Sequence, residues 1–163
     1  MQGIIFDMDG TMIDNMMVHH RAWQRKLASL GLEMSLEQVR QEIHGVNYEI
    51  LERLFGDRFS YEDRLRISDE KEAEYRRIFK DELALLPGLP HLLDQIKQAG
   101  IPMAIGTAAP GENANFVLDE LQLGDYFGAV VHAGHVKQGK PDPEVFQKAA
   151  AGLGLTAEHC LVF

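Results

Sequence analysis

Asp7 and Asp9 stand in the run Asp7-Met8-Asp9-Gly10-Thr11, directly behind the apolar Gly3-Ile4-Ile5-Phe6. Alternate residues of an extended backbone point the same way. Both carboxylates are therefore expected on one side, where a buried strand runs out into a loop. A nucleophilic carboxylate with a second carboxylate beside it to move protons suits phosphoryl transfer through an aspartyl phosphate. A calcium loop also begins Asp-x-Asp, but it needs glycine at its sixth position and glutamate at its twelfth. Those positions hold Met12 and Val18. A pair of solvated loop acids is the remaining alternative. Gly10 permits a tight turn off the strand, and the Thr11 hydroxyl can brace the loop.

Two further residues could serve the same chemistry. Thr107 closes the apolar run Pro102–Thr107 and is followed by Ala108-Ala109-Pro110-Gly111. A hydroxyl with exposed backbone N–H groups at a strand-to-helix junction can hold phosphate oxygens, although a threonine at a strand end is commonly structural. Lys140 lies in Gly139-Lys140-Pro141-Asp142-Pro143, between residues that constrain its backbone. Its ammonium could pair with both a nucleophilic carboxylate and a transferring phosphoryl group. A lone lysine would read as surface charge, but the order acid, hydroxyl, lysine at three successive strand ends favours a site.

Positioning these residues requires a scaffold, and the hydrophobic pattern supplies one. Gly3–Met8, Pro102–Thr107, Ala129–Ala133 and Leu161–Phe163 read as strands. Helical patterns over Leu89–Ala99, Asn113–Leu123 and Asp142–Leu153 separate them, with Gly100, Gly124 and Gly154 at their ends. Strand and helix in alternation predict an α/β fold with a parallel sheet. The stretch Asp14–Leu86 breaks the rhythm. Asn15–Leu30, Leu36–His44, Tyr48–Phe55 and Tyr61–Phe79 read as helices, the last carrying Glu70, Lys71, Glu72, Glu74, Arg76 and Arg77 as on a solvated face. A helical domain over 14–87, inserted into an α/β core of 1–13 and 88–163, is expected. It would lie over the carboxyl ends of the strands, where α/β sheets bind ligands.

Composition narrows the partners. The chain has 163 residues, 45% hydrophobic and 25% charged, with a net charge of −9, as in ordinary soluble proteins. Nucleic acid and anionic membrane surfaces need a basic footprint, so neither is an expected partner. No apolar stretch approaches the roughly 20 residues that span a bilayer, and no basic leader precedes one. A cytoplasmic location is expected. The single cysteine, Cys160, excludes an internal disulfide and is expected as a small buried residue in a strand.

Asp7-x-Asp9-Gly10-Thr11, the strand-end Thr107 and Lys140-Pro141-Asp142-Pro143 together resemble three of the four motifs of the haloacid dehalogenase superfamily of phosphatases. The segment from Asp7 to Trp23, with His19 ahead of Ala22-Trp23, is similar to its β-phosphoglucomutase-like branch. The resemblance implies a Rossmann-like parallel sheet with an inserted helical cap. It implies that Asp7 attacks phosphorus, that Asp9 protonates the leaving oxygen and then activates water, and that Thr107, Ala108 and Lys140 hold phosphoryl oxygens. It implies Mg²⁺ on the Asp7 carboxylate and the Asp9 backbone carbonyl. His19 would hydrogen-bond Asp9 or the substrate, and Lys71 would meet a substrate anion; a partly buried structural histidine and a solvated helix lysine are the alternatives. The substrate would be a small phosphorylated metabolite such as a sugar phosphate, enclosed by cap closure. Dehalogenases of the superfamily lack an acid at the Asp9 position, so its presence favours phosphate chemistry.

Two departures shape the expectation. The mutase branch carries an arginine shortly after a cap glycine, but here the stretch is His44-Gly45-Val46-Asn47-Tyr48. Without that grip on a second phosphate, hydrolysis is favoured over hexose-phosphate mutase activity. The fourth motif, an acidic pair after the fourth strand that completes the metal site, is absent up to Phe163. The resemblance therefore implies a fragment or natural truncation of a longer phosphatase, and a catalytically silent binding module is the alternative of a different class. A response-regulator receiver would place its phosphoacceptor on the third strand and would lack the helical insert. The substrate's identity and the oligomeric state are not legible.

Overall fold

The computed structural model describes residues 1–163. The elements follow in the order β1 (Gly3–Phe6), α1 (Met16–Ser29), α2 (Leu36–Glu42), α3 (Asn47–Phe55), α4 (Tyr61–Phe79), α5 (Leu89–Gln98), β2 (Met103–Gly106), α6 (Gly111–Glu120), β3 (Ala129–Val131), α7 (Glu144–Gly152) and β4 (Cys160–Val162). Two compact units result, one of Met1–Asp14 with Leu83–Phe163 and one of Asn15–Glu82.

The first unit is an α/β layer structure. Its four strands are all parallel, in the order β3-β2-β1-β4. The chain steps outward from β1 to β2 to β3, then crosses back to place β4 on the other side of β1. Reversals of this kind put ligand sites at the carboxyl ends of the central strands. α7 packs on β1, β2 and β3, where Val145, Ala149 and Ala150 meet Ile5, Ala104 and Val131. Close approach depends on glycine: a Cβ at Gly152 would lie 2.6 Å from the Cβ of Ala129, and one at Gly106 would lie 2.8 Å from the Phe146 ring. Ile4 and Phe6 point to the opposite face and are also buried.

The sequence overestimates strand length. β1 ends at Phe6 rather than Met8, and β3 ends at Val131, where His132 caps a short 3₁₀ turn over Ala133–His135. Apolar runs continue past the ladder because Met8 is packed in the core of the following turn. Cys160 is half-buried rather than buried: β4 stands at one end of the strand order, and its Leu161 and Val162 are exposed, as is Phe163 after it. Residues 83–87 lie with the sheet, not with the helices: Leu85 bridges Ile13, and the Leu86 N–H donates to the Met12 carbonyl at 2.9 Å.

The second unit is purely helical. α1 packs on α2 and α4, and α3 packs on α4. Trp23, Leu27, Val39, Ile50, Leu51 and Ile67 form its apolar centre. Ser35 and Gln38 make a reciprocal capping box on α2, and the Ser60 hydroxyl accepts from the Asp63 N–H on α4. No helix of the chain is long and apolar enough to cross a membrane.

Candidate functional site

Asp7 is held at the end of β1 by the ladder itself. Its N–H donates to the Phe163 carbonyl at 2.9 Å, while the Phe163 N–H donates to Ile5 at 3.0 Å. Thr107 is held in the same way one strand over, its N–H donating to the Val131 carbonyl at 2.9 Å. Since Phe6 pairs with Ile105, the two side chains leave adjacent strand ends. The turn after Asp7 closes around one acceptor. The Met8 carbonyl takes N–H bonds from Thr11, Met12 and Ile13, and Gly10 adopts a φ of 73° while its N–H returns to Ile13. Thr11 thus braces the loop through its backbone N–H, and Asp9 is fixed in a bridge with Ile13.

Lys140 completes this edge of the sheet. Its Nζ lies 2.8 Å from Asp7 Oδ2, with both side chains about a quarter exposed (25% and 29%). The other carboxylate oxygen, Oδ1, accepts from the Met8 N–H at 2.7 Å. The Lys140 ammonium also rides 4.7 Å above the centre of the Phe146 ring, a favourable cation–π contact. Thr107 is 1% exposed, and its hydroxyl oxygen accepts from the Ala109 N–H at 3.1 Å. A hydroxyl has one hydrogen to give besides. Ala108 is exposed at the head of the loop, which is tied to the loop after β3 by a 3.0 Å bond from the Ala133 N–H to the Ala109 carbonyl. Asp7, Thr107, Ala108 and Lys140 therefore gather at the carboxyl ends of the strands. A carboxylate, a cation and a hydroxyl at such an edge can bind and attack an oxyanion-bearing centre.

His19 and Lys71 meet in the helical unit. Lys71 is 2% exposed, so α4 does not present it to solvent. Its Nζ lies 2.9 Å from His19 Nδ1 and 2.9 Å from Glu72 Oε1, and Glu72 also accepts from Asn47 Nδ2 at 2.7 Å. An ammonium can only donate, so Nδ1 is the acceptor and carries no proton. The His19 ring stacks on Tyr75 with centres 4.0 Å apart. Burial, reinforced by the Lys71 charge, lowers its pKa to about 3. Glu72 is buried as well. The charged run on α4 is thus only partly a solvated face: Lys71 stands four residues after Ile67 and four before Tyr75, on the buried stripe of the helix.

A family model described as haloacid dehalogenase-like hydrolase matches residues 1–163. The chain belongs to this family. It is 32% identical over 163 residues to the fructose-1-phosphate phosphatase YqaB of Escherichia coli, covering 99% of the chain and 85% of that protein. Identity is also 32% over 168 residues to a phosphorylated carbohydrates phosphatase of Thermotoga maritima, covering 100% and 76%. The crystal structure of a β-phosphoglucomutase from Clostridium difficile superposes with a TM-score of 0.81 at 30% identity, over 99% of this chain and 75% of that one. The α/β fold and the family expected from the motifs are those observed. What the motifs did not disclose is the support beneath this hydrolase's edge of charge. Phe146 reads as an ordinary core position of α7 and Gly106 as an ordinary strand residue. Their roles under Lys140 come from contacts across the sheet, which leave no local signal.

Proposed function

We propose that the chain hydrolyses the phosphate ester of a small phosphorylated metabolite, a sugar phosphate by preference, with Asp7 as nucleophile. The observation that carries this reading is the 2.8 Å pair of Lys140 and Asp7 at the carboxyl edge of a parallel sheet, beside the buried Thr107. The substrate class is supported by the two phosphatases above, one of fructose 1-phosphate and one of phosphorylated carbohydrates.

An Asp7 carboxylate oxygen attacks phosphorus, and the bond from phosphorus to the ester oxygen breaks. Asp9 gives its proton to that leaving oxygen. Asp9 then takes a proton from water, whose oxygen attacks phosphorus and frees the Asp7 carboxylate and inorganic phosphate. Lys140, the Thr107 hydroxyl and the backbone N–H of Ala108 hold the phosphoryl oxygens through both steps. For Lys71 to meet a substrate anion, it must exchange Glu72 for that anion.

The donor set suits Mg²⁺. The Asp7 carboxylate and the Asp9 backbone carbonyl are hard oxygen donors, and Mg²⁺ is commonly bound by one or two carboxylates with phosphate and water completing its shell. When bound there, the ion would neutralise charge on the phosphoryl group.

A hexose-phosphate mutase is the second reading, raised by the likeness to β-phosphoglucomutase. Hydrolysis is preferred because His44–Tyr48 offers no arginine for a second phosphate, and the Asn47 amide in that stretch is engaged by Glu72. The test is Mg²⁺-dependent phosphate release from a generic monoester and a hexose phosphate, with Asp7→Asn as control. Release that disappears in Asp7→Asn is expected. Undiminished release by the variant would overturn Asp7 as nucleophile. No release by the unaltered chain would leave a silent binding module, and a requirement for a bisphosphate would favour the mutase.

A further inference from the structure

The side chain that approaches Asp7 comes from an exposed loop with no regular structure, between the 3₁₀ turn that ends at His135 and the start of α7 at Glu144. A lysine on a free loop would sample many positions, and fixing its long side chain costs rotamer freedom. This loop is not free. Glu144 Oε2 accepts from two successive backbone groups, the Lys137 N–H at 2.8 Å and the Gln138 N–H at 2.9 Å. Its other oxygen, Oε1, takes the Lys148 ammonium at 2.7 Å, one helical turn on. Lys148 in turn donates to the His135 carbonyl at 2.6 Å. At the far side of the loop, Asp142 Oδ1 accepts from the Glu144 N–H at 2.9 Å, and the Asp142 N–H donates to the Gly139 carbonyl at 3.1 Å. Lys140 is therefore bracketed on both sides by groups anchored to the first turn and a half of α7.

We propose that Glu144 is a positioning residue that sets the place of Lys140 against Asp7, acting as a clasp between the loop backbone and α7. A carboxylate suits the task because it accepts two N–H groups and a cation at once. The Lys148 hydrogen bond, then the Gln138 and Lys137 amides, hold its pKa down to about 2, so the clasp is ionised at neutral pH. α7 is itself seated on three strands, so the clasp refers the lysine to the sheet that carries Asp7. The role of the clasp in catalysis rests on the function proposed above; its geometry does not.

The test reads the position of Lys140 without turnover. Each lysine of the full chain is labelled with a limiting amount of acetic anhydride, and its rate is measured by mass spectrometry. An ammonium paired with Asp7 labels slowly. Glu144→Ala is expected to raise labelling of Lys140 at least five-fold, while Lys26 and Lys97 keep their rates. Glu144→Asp keeps the charge but withdraws it by one methylene, and it keeps the test open should the alanine variant fail to fold; it is expected to raise labelling about two-fold. An unchanged Lys140 rate in either folded variant overturns the proposal, as does an equal rise at every lysine, which would report general loosening. Kinetics on the same variants then separate the two ideas. Raised labelling with kcat reduced at least ten-fold supports both. Raised labelling in a chain that releases no phosphate even when unaltered keeps the clasp and removes the proposed function.

Discussion

Lys140 Nζ and Asp7 Oδ2 meet at 2.8 Å, which joins the loop ahead of α7 to the end of the central strand β1. The pair does two things in the proposed chemistry. It orients the carboxylate while the site is empty, and it supplies a cation where phosphoryl charge develops. Interactions of this kind are worth about 10²–10³ in turnover. Lys140→Ala is expected to lose about that factor in kcat. Lys140→Arg should recover only part of it, because a planar guanidinium does not reproduce a compact ammonium. Steady-state kinetics on the two variants checks this, and full activity in Lys140→Ala would remove the residue from the site.

Gly106 controls the same pair from below. A methyl group at this position would come within 2.8 Å of the Phe146 ring, and that ring lies 4.7 Å under the Lys140 ammonium. Overpacking of this kind costs about 1–3 kcal/mol. Gly106→Ala is expected to lower stability by that amount and to lower activity with it. Urea unfolding and turnover measured together decide the matter: a stable variant with normal turnover would mean that Phe146 can swing aside without disturbing Lys140.

The buried Lys71 ammonium and Glu72 carboxylate lie 2.9 Å apart, and a buried charge that loses a partner at this distance is costly. Lys71→Met is expected to destabilise the protein by about 3–5 kcal/mol. The double variant Lys71→Met with Glu72→Gln should regain much of that loss, since the carboxylate charge goes together with its cation and Asn47 can still donate to the glutamine oxygen. Denaturant unfolding of the set gives the coupling, and strict additivity would show that the two charges do not depend on one another.

His19 gives the fold an acid sensitivity of definite sign. Its native pKa is lowered to about 3, by burial first and by Lys71 second, whereas an unfolded histidine titrates near 6.5. Above that value both states are neutral and His19 contributes no slope. As pH falls from about 6.5 toward 3, the unfolded chain takes a proton that the native chain refuses, so stability falls. At pH 4.5 the loss amounts to about 2.5 kcal/mol. His20 and His132 are also lowered by burial and act in the same direction. Unfolding free energies at pH 7 and 4.5 should show the drop, and His19→Gln should flatten it; an unchanged slope in that variant would assign the acid sensitivity to other groups.

Much of the architecture was legible because its signals are local. A continuous apolar run in Gly3–Phe6, a helical stripe through Ala22, Trp23 and Leu27, and glycines at helix ends all act within a few residues. The order of elements and the family motifs follow from them. Strand ends were less legible, since Met8 is as apolar as its neighbours although it packs in a turn. Cys160 was misjudged because an edge strand looks like a central one until the pairing order is known. The partners of Lys71 and Glu72 on the charged helix, His19 and Asn47, were not legible, because they lie on other helices.

The amino-acid order alone specified the kinds of group available: two acids behind a strand, a hydroxyl behind another, and a lysine held before a helix. Those depend on neighbours in the chain, and short-range geometry makes them readable. Which of these groups touch is a matter of the third dimension. The 2.8 Å contact of Lys140 with Asp7, the ring of Phe146 beneath it, and the hold of Glu144 on the loop exist only once α7 is laid across parallel strands. Packing brings together residues that sequence distance keeps apart.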